Sequence, residues 1–196
     1  MVKEYSMVSI APTISKLLNV RPPTQSAGIV ISEIIHDMGH QENLAAVVLD
    51  AFGIATWKRY EELTPSFNLI ADKHLLHIRS VLPAKTPVNF ATMATGAPSD
   101  VHKIRDRSEP LVVETIFHVL SEASMRSAAA GRARSTVGIL LSKFADYRGI
   151  AVSDTDAEVL ELAVKIVVDK SPNLILMQLL DVDDAGHEFG LARDEF

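Results

Sequence analysis

Cysteine is absent from this 196-residue chain, and no long apolar run occurs in it. Without cysteine the chain forms no disulfides and offers no thiolate, so a bound metal must be held by aspartate, glutamate, histidine or hydroxyl groups. No run approaches the roughly 18 apolar residues that a membrane helix needs, and the N-terminus lacks the apolar stretch of a secretory signal. These absences predict a soluble, cytoplasmic protein with no membrane partner.

An excess of basic residues is also missing. Nineteen lysines and arginines stand against 25 aspartates and glutamates, which gives a formal net charge of −6. Nucleic-acid binders neutralise phosphates with clustered basic side chains, so we expect no nucleic acid as the main partner. Apolar residues make up 47% of the chain, enough to bury a sizeable core. We therefore predict one domain over residues 1–196.

Strand-like and helical patterns alternate along the chain. Apolar, partly β-branched runs predict buried strands at three places: residues 45–50, 136–140 and 173–180. Apolar residues at helical spacing predict helices at three others: near residues 11–19, 109–124 and 153–170. This alternation predicts an α/β fold, a mostly parallel sheet with helices on both faces.

Acidic residues and a histidine crowd together directly after the last predicted strand. They are Asp181, Asp183, Asp184, His187 and Glu188. Oxygen and nitrogen ligands at a strand end can converge on a divalent metal without filling the core. We favour Asp183 and His187, four positions apart, as ligands, and Asp181 and Asp184 as solvated or supporting groups. A metal site is the leading hypothesis for this stretch.

A second chemical feature surrounds Thr86. Pro87 is expected in the first turn of a helix that runs to about Thr95 and stops at Gly96, which makes Thr86 the N-cap. A hydroxyl there feels the positive end of the helix dipole, which favours an alkoxide and a neighbouring phosphate. Asn89, one turn later, can offer an amide N–H to the same oxyanion. This helix start therefore predicts a phosphate-binding site.

Asp50 closes the first predicted strand. In an open parallel sheet, ligands bind outside the carboxyl ends of the strands, so Asp50 and Asp183 can face one crevice. Taken alone, these residues have plainer interpretations: Asp50 caps a turn, Thr86 is an ordinary N-cap and His187 is a loop residue. The pair His36 and His40 has a spacing that can bind metal, but a partly exposed helix face is the favoured interpretation.

In combination, these motifs resemble the alkaline phosphatase superfamily, and within it the nucleotide pyrophosphatase/phosphodiesterase branch. The resemblance rests on an aspartate closing a strand at Asp50, on Lys-Thr-x-x-Asn at residues 85–89, and on Asp-x-x-Gly-His at residues 183–187. The loop at residues 96–102 adds His102, at a place where the family carries a histidine. The resemblance implies an incomplete alkaline-phosphatase-like α/β fold.

The resemblance also implies roles for individual residues. Two metal ions, usually zinc with manganese as an alternative, would flank the reacting phosphoryl group. Thr86 would be the nucleophile and would share one metal with Asp50, while Asp183 and His187 would bind the other. Asn89 would stabilise a phosphoryl oxygen. A threonine nucleophile with this asparagine implies a small phosphate ester as the ligand, a phosphodiester in preference to a monoester.

The chain also departs from the family pattern. Complete members carry a later Asp-His pair and one further histidine, and neither is found up to Phe196. Residues 8–23 resemble a segment that the superfamily places late in its chain, which suggests a permuted order. We thus divide the domain into an N-terminal segment, 1–40, and a partial catalytic core, 41–196. We expect a fragment of a longer enzyme or a short relative, and an exposed sheet edge that favours a homo-oligomer.

Two functions of different classes follow. The first is a metal-dependent hydrolase of phosphodiesters or nucleotide pyrophosphates. The second is a non-catalytic α/β binding or regulatory domain that retains an incomplete metal site. A phosphate-transfer mutase, which the superfamily also contains, is a weaker third, because the surroundings of Thr86 differ from those of the mutase nucleophile.

Overall fold

The computed structural model describes residues 4–190, apart from the side chain of Lys73, as parallel β-sheets flanked by helices. The strands are β1 (Glu4–Ser6), β2 (Leu44–Leu49), β3 (His77–Arg79), β4 (Ser127–Arg132), β5 (Tyr147–Ala151) and β6 (Leu174–Leu179). The helices are α1 (Ile10–Leu17), α2 (Ser32–Met38), α3 (Ile54–Arg59), α4 (Pro65–His74), α5 (Thr86–Thr95), α6 (Ser99–His102), α7 (Ile116–Glu122), α8 (Asp156–Lys170) and α9 (Asp181–Phe189). Between residues 4 and 190, no helix is long and apolar enough to cross a membrane.

The main sheet has four strands in the order β2-β6-β4-β5, and every neighbouring pair is parallel. Its central strands carry the buried apolar side chains that a sheet covered on both faces requires. β2 and β6 are in register from the pair Leu44 and Leu174 to the pair Leu49 and Leu179. Their carboxyl ends consequently lie side by side. A separate two-stranded sheet pairs β1 with β3.

Helices cover both faces of the main sheet. On one face, α5 and α7 pack with Leu174 and Leu176 of β6 in the larger core. On the other face, α8 packs through Val159 and Ala163 against the alternate residues of β4 and β6. The predicted α/β fold, a parallel sheet with helices on both faces, is confirmed. The division of the domain into residues 1–40 and 41–196 stays a prediction. The outer ends of these two segments, residues 1–3 and 191–196, lie outside the described residues.

The strand predicted at 136–140 is wrong. Residues Val137–Leu141 form a π-helical turn, and the chain enters the sheet earlier, as β4, and later, as β5. β4 escaped prediction because its alanine-rich sequence, residues 127–132, lacks β-branched side chains. Its small residues suit a strand that is buried along its whole length, with α8 on one face.

Two predicted helices begin later than their apolar patterns suggested. The helix predicted from residue 109 begins at Ile116, because Thr115 and His118 form a reciprocal capping box. The helix predicted from residue 153 begins at Asp156, because the Thr155 hydroxyl accepts the Glu158 N–H at 3.3 Å. Periodicity locates a helix, whereas capping decides where it begins.

Helix α5 follows its prediction closely, with one correction at its start. Pro87 lies in the first turn and Gly96 ends the helix in the left-handed conformation, with φ 67°. Thr86, however, is the first helical residue and not the N-cap. The N-cap is Lys85, because its carbonyl accepts the first helical hydrogen bond, from the Asn89 N–H at 3.0 Å.

Candidate active site

The carboxyl end of β2 opens into a cleft of about 430 Å³ beside the start of α5. Asp50 follows β2 directly, and Thr86 and Asn89 line the same cleft. Because β2 and β6 are adjacent and parallel, the residues after them meet at one edge of the sheet. The structure therefore brings three of the five predicted site residues to one cleft.

Asp50 is held by hydrogen bonds. Its Oδ2 accepts a bond from Gln178 Nε2 at 2.7 Å, and its Oδ1 accepts one from the Ala51 N–H at 3.1 Å. The Thr86 side chain lies close enough to lower the pKa of the Asp50 carboxyl. Ala51 has a φ of 59°, in the left-handed region that alanine seldom adopts. The backbone thus turns sharply just after Asp50, and the Asp50 side chain stays at the end of β2.

The electrostatics of Asp50 reveal a second carboxylate nearby. Burial raises the pKa of Asp50, and the negative charge of Asp183 raises it further. Hydrogen bonds from Gln178 and Ala51, together with the nearby Thr86 side chain, lower the pKa of Asp50, but these effects do not outweigh burial. The charge of Asp183 thus acts on Asp50 at the edge of the sheet where β2 and β6 end. That the two carboxylates belong to one metal site stays a prediction.

Asp183 and His187 lie one turn apart on α9. The structure places His187 Nε2 at 3.5 Å from Asp183 Oδ1, but the His187 side chain is 81% exposed and that of Asp183 only 25%. Asp183 is thus turned toward the protein and His187 toward solvent. Across residues 4–190, no three carboxylate or imidazole side chains are grouped so as to hold a metal ion.

Asn89 faces the cleft with its amide already bonded. Its Oδ1 accepts the Val81 N–H at 2.9 Å, and its Nδ2 donates to the carbonyls of Val81 at 3.4 Å and Lys85 at 3.2 Å. These bonds tie the segment between β3 and α5 to the helix. In this arrangement Asn89 shapes the wall of the cleft next to Thr86.

A buried arginine anchors α9 and was missed by sequence reasoning. Arg132, at the end of β4, is 1% exposed and bonds to Asp156 at 2.7 Å, to Asp184 at 2.8 Å and to Asp181. Asp156 also accepts the backbone N–H groups of Leu180 and Asp181. The predicted supporting groups Asp181 and Asp184 thus bind Arg132. Because β4 was not predicted as a strand, nothing in the sequence placed Arg132 at this edge.

Gln178 is the second residue that sequence reasoning missed. It is fully buried in β6 and connects two elements, donating to Asp50 and accepting the Val137 N–H through Oε1 at 2.9 Å. The sequence did contain a sign of this role, because Gln178 is the one polar side chain in the otherwise apolar strand at residues 174–179. A buried amide needs partners, so it points to polar groups nearby.

His102 lies in the core, away from the cleft. Its Nδ1 accepts the Ile104 N–H at 3.1 Å, so the ring proton is on Nε2, which contacts Thr92 Oγ1 at 2.9 Å. Burial, reinforced by the charge of Arg105, lowers the pKa of His102 to about 4. His102 is therefore a neutral core residue.

The pair His36 and His40 does not share a helix. His36 lies on α2, whereas His40 follows the helix end at Gly39 and its Nδ1 contacts the Leu17 carbonyl at 2.9 Å. The spacing of four that suggested a metal-binding face is lost because α2 ends between them.

Two comparisons with known proteins found matches, one to a segment of the sequence and one to the fold. Residues 44–108 match the sequence profile of the type I phosphodiesterase / nucleotide pyrophosphatase family. That segment includes β2, Asp50 and the helix that begins at Thr86. No curated protein sequence matches the chain significantly.

Among solved structures, the chain is similar to phosphonoacetate hydrolase from Sinorhizobium meliloti 1021, crystallised in complex with phosphonoacetate. The TM-score is 0.57 and the sequence identity 20%, over 78% of this chain and 49% of that chain. The present chain thus spans about half the length of this hydrolase. Together, the two matches confirm the resemblance to the alkaline phosphatase superfamily and its phosphodiesterase branch.

Proposed function

We propose that this chain carries part of the active site of a metal-dependent phosphoester hydrolase, with Thr86 as its nucleophile. The observation that carries the proposal is the cleft that brings Asp50, Thr86 and Asn89 together at the carboxyl end of β2. The Thr86 side chain and the charge of Asp183 both act on the pKa of Asp50 there. The match of residues 44–108 to a phosphodiesterase family supports the same chemistry. A phosphodiester is the substrate class that this match favours.

The chemistry starts at the N-terminus of α5. The Thr86 oxygen would lose its proton and bond to phosphorus as the bond from phosphorus to the leaving alkoxide breaks, and the leaving group would depart, protonated, as an alcohol. Water would then hydrolyse the phosphothreonine, which regenerates Thr86 and releases a phosphate monoester. The first-turn N–H groups of this ten-residue helix and its dipole favour negative charge beside Thr86. Asn89 would contribute to binding a phosphoryl oxygen through an amide N–H that it now donates to the Val81 or Lys85 carbonyl.

The donor groups suit a divalent cation. Asp50 and Asp183 supply carboxylates, Thr86 a hydroxyl and His187 an imidazole, a ligand set that zinc and manganese accept. Burial is the main cause of the raised pKa of Asp50, and the charge of Asp183 adds to it; a cation bound by these carboxylates would offset the latter repulsion. When bound, the cation would lower the pKa of the Thr86 hydroxyl and neutralise phosphoryl charge.

The ligand we propose is a small phosphate ester. The similar hydrolase was crystallised with phosphonoacetate, a small molecule with a phosphonate group. The net charge of −6 argues against a nucleic acid as the main partner. We also propose a cytoplasmic location and self-association through the edge strand β2, where Val47 is 52% exposed.

A specific observation favours the second candidate, a non-catalytic binding or regulatory domain. In the part of the chain that the structure describes, no three acidic or histidine side chains converge to hold a metal, and His187 faces solvent. Such a domain would bind a phosphate ester or one metal ion without turnover.

One experiment separates the two candidates. The chain is assayed with bis(p-nitrophenyl) phosphate in the presence of zinc or manganese, and zinc binding is measured by calorimetry on the same samples. Thr86→Val removes the hydroxyl at nearly constant shape, and Thr86→Ser is the control that retains it. The nucleophile proposal predicts turnover in the wild type and in Thr86→Ser only. Equal turnover in Thr86→Val would exclude Thr86, and zinc binding without any turnover would favour the non-catalytic domain.

A further inference from the structure

We propose that Gln178 is a positioning residue that fixes the orientation of the Asp50 carboxylate toward the cleft. The inference rests on the proposed function insofar as Asp50 is taken as a metal ligand. It concerns a residue that neither contacts the cleft nor belongs to a motif of the family resemblance. Its basis is the bonding of one fully buried amide between two elements.

The orientation of the Gln178 amide is determined by the protein backbone. The Val137 N–H can only donate, so the Gln178 Oε1 must face it, at 2.9 Å. The Nε2 then points in the other direction, to Asp50 Oδ2 at 2.7 Å. A flipped amide would set N–H against N–H at Val137 and oxygen against oxygen at Asp50. Because Val137 begins the π-helical turn Val137–Leu141, this turn orients the Gln178 amide so that its NH2 group points to Asp50.

This bond restricts the Asp50 side chain. Gln178 engages Oδ2 and the Ala51 N–H engages Oδ1, so the carboxylate is bound on both oxygens from the protein side. Each carboxylate oxygen accepts about two hydrogen bonds, which leaves capacity on both for groups in the cleft. A ligand already held in its binding orientation loses little freedom when the metal binds. Loss of Gln178 should therefore weaken metal binding through Asp50.

Gln178 also joins the end of β2 at Asp50 to the π-helical turn that begins at Val137. β6 is the central strand beside β2, and Gln178 is its only polar side chain. The position pairs with Val48 in the register of the two strands, two residues before Asp50. An apolar side chain at this position would fill the space, but it would leave the Asp50 carboxylate without its buried donor.

The test compares Gln178→Met with a control that loses a buried hydrogen bond elsewhere. Methionine keeps the length of glutamine and donates nothing to Asp50. The control is Thr92→Val, which removes the contact between Thr92 and His102 in the core. Zinc affinity is measured by calorimetry and thermal stability by melting. We expect zinc affinity to fall at least tenfold in Gln178→Met and to stay within twofold of wild type in Thr92→Val, although both variants melt earlier.

A second measurement is independent of metal and of turnover. Metal-free crystal structures of the wild type and of Gln178→Met show whether the Asp50 carboxylate keeps its orientation. We expect it to rotate or to become disordered in the variant. An unchanged Asp50 would overturn the inference, as would unchanged zinc affinity. If the wild type binds no zinc, the proposed function fails, and the Asp50 orientation alone then decides the role of Gln178.

Discussion

Asp50 and Asp183 follow the adjacent parallel strands β2 and β6, and the pKa of Asp50 is raised first by burial and further by the negative charge of Asp183. Two like charges at one sheet edge are unfavourable unless a cation or a proton compensates them. This relationship leads to two predictions, one on metal binding and one on stability.

Metal binding should depend more on Asp183 than on its neighbours on α9. We expect Asp183→Ala to lower zinc affinity by more than about tenfold, since even residues that only support a ligand commonly have effects of that size. His187→Ala should have a smaller effect, because the exposed His187 must turn inward to bind.

The matched control for this series is Glu188→Ala, which removes an exposed carboxylate from the same helix. Calorimetric titration of the three variants gives the comparison. Equal losses for Glu188→Ala and Asp183→Ala would indicate general electrostatic attraction in place of a defined site, and an unaffected His187→Ala would remove His187 from the ligand set.

Neutralising Asp50 should stabilise the metal-free protein at neutral pH. The pKa of Asp50 is raised on folding above its ordinary value of 3.8, so its favourable contribution is complete below that value and is lost as the pH rises through the folded pKa. Asp50→Asn introduces a side chain that cannot ionise, and its amide oxygen can still accept the bond from Gln178. Urea unfolding should show the variant gaining stability relative to wild type at pH 7 and gaining least at pH 3.

Zinc should reverse that order. Saturating zinc is expected to raise the melting temperature of the wild type and to leave that of Asp50→Asn nearly unchanged, because ligand binding stabilises only the form that binds. A variant that is less stable than wild type at pH 7 without metal would contradict the assigned cause of the pKa shift.

The sequence was sufficient for the features that depend on local pattern. Apolar runs identified β2 and β6, and Pro87 with Gly96 located α5 to within one residue. The alternation of patterns predicted the α/β fold. Asp50 and Asp183 could be assigned to one edge because parallel strands place their carboxyl ends together.

The missed features depend on tertiary contacts. The alanines of β4 carry no strand signal, since they are selected by burial on both faces and not by backbone preference. Arg132 and Gln178 acquire their roles only when β4 and β6 are neighbours. The exposure of His187 could not be predicted either. The sequence shows that Asp183 and His187 are four positions apart, but not which face α9 turns toward the protein.

Acid should destabilise the protein through His102. The pKa of His102 is lowered to about 4 from 6.5, so its contribution is complete above pH 6.5 and is lost as the pH falls toward about 4. The shift corresponds to a loss on the order of 3 kcal/mol. Urea unfolding at pH 7.5, 6 and 4.5 measures it.

The control for this pH dependence is His102→Gln, which removes the titrating ring but keeps an amide that can bond to Thr92. The variant should start less stable at pH 7.5 and lose less stability on acidification than the wild type. Parallel pH profiles for the two proteins would show that groups other than His102 determine acid sensitivity.

Removal of Arg132 should strongly destabilise the fold. Its side chain is 2% exposed and bonds to the buried Asp156, the half-buried Asp184 and the exposed Asp181, so Arg132→Met would leave these carboxylates without their cation. Breaking a buried ion pair from one side commonly costs about 3–5 kcal/mol. Arg134→Met is the matched control, since Arg134 bonds to Asp154 and Asp184 with its side chain 46% exposed.

We expect the control to lower the free energy of unfolding by about 1 kcal/mol or less, as exposed ion pairs do. Urea unfolding of both variants at pH 7 tests the difference. If both variants lost a similar free energy of unfolding, solvation of the carboxylates around Arg132 would be sufficient without a cation. Because Arg132 anchors the first turn of α9, Arg132→Met should also weaken zinc binding through Asp183, whereas Arg134→Met should leave it nearly unchanged.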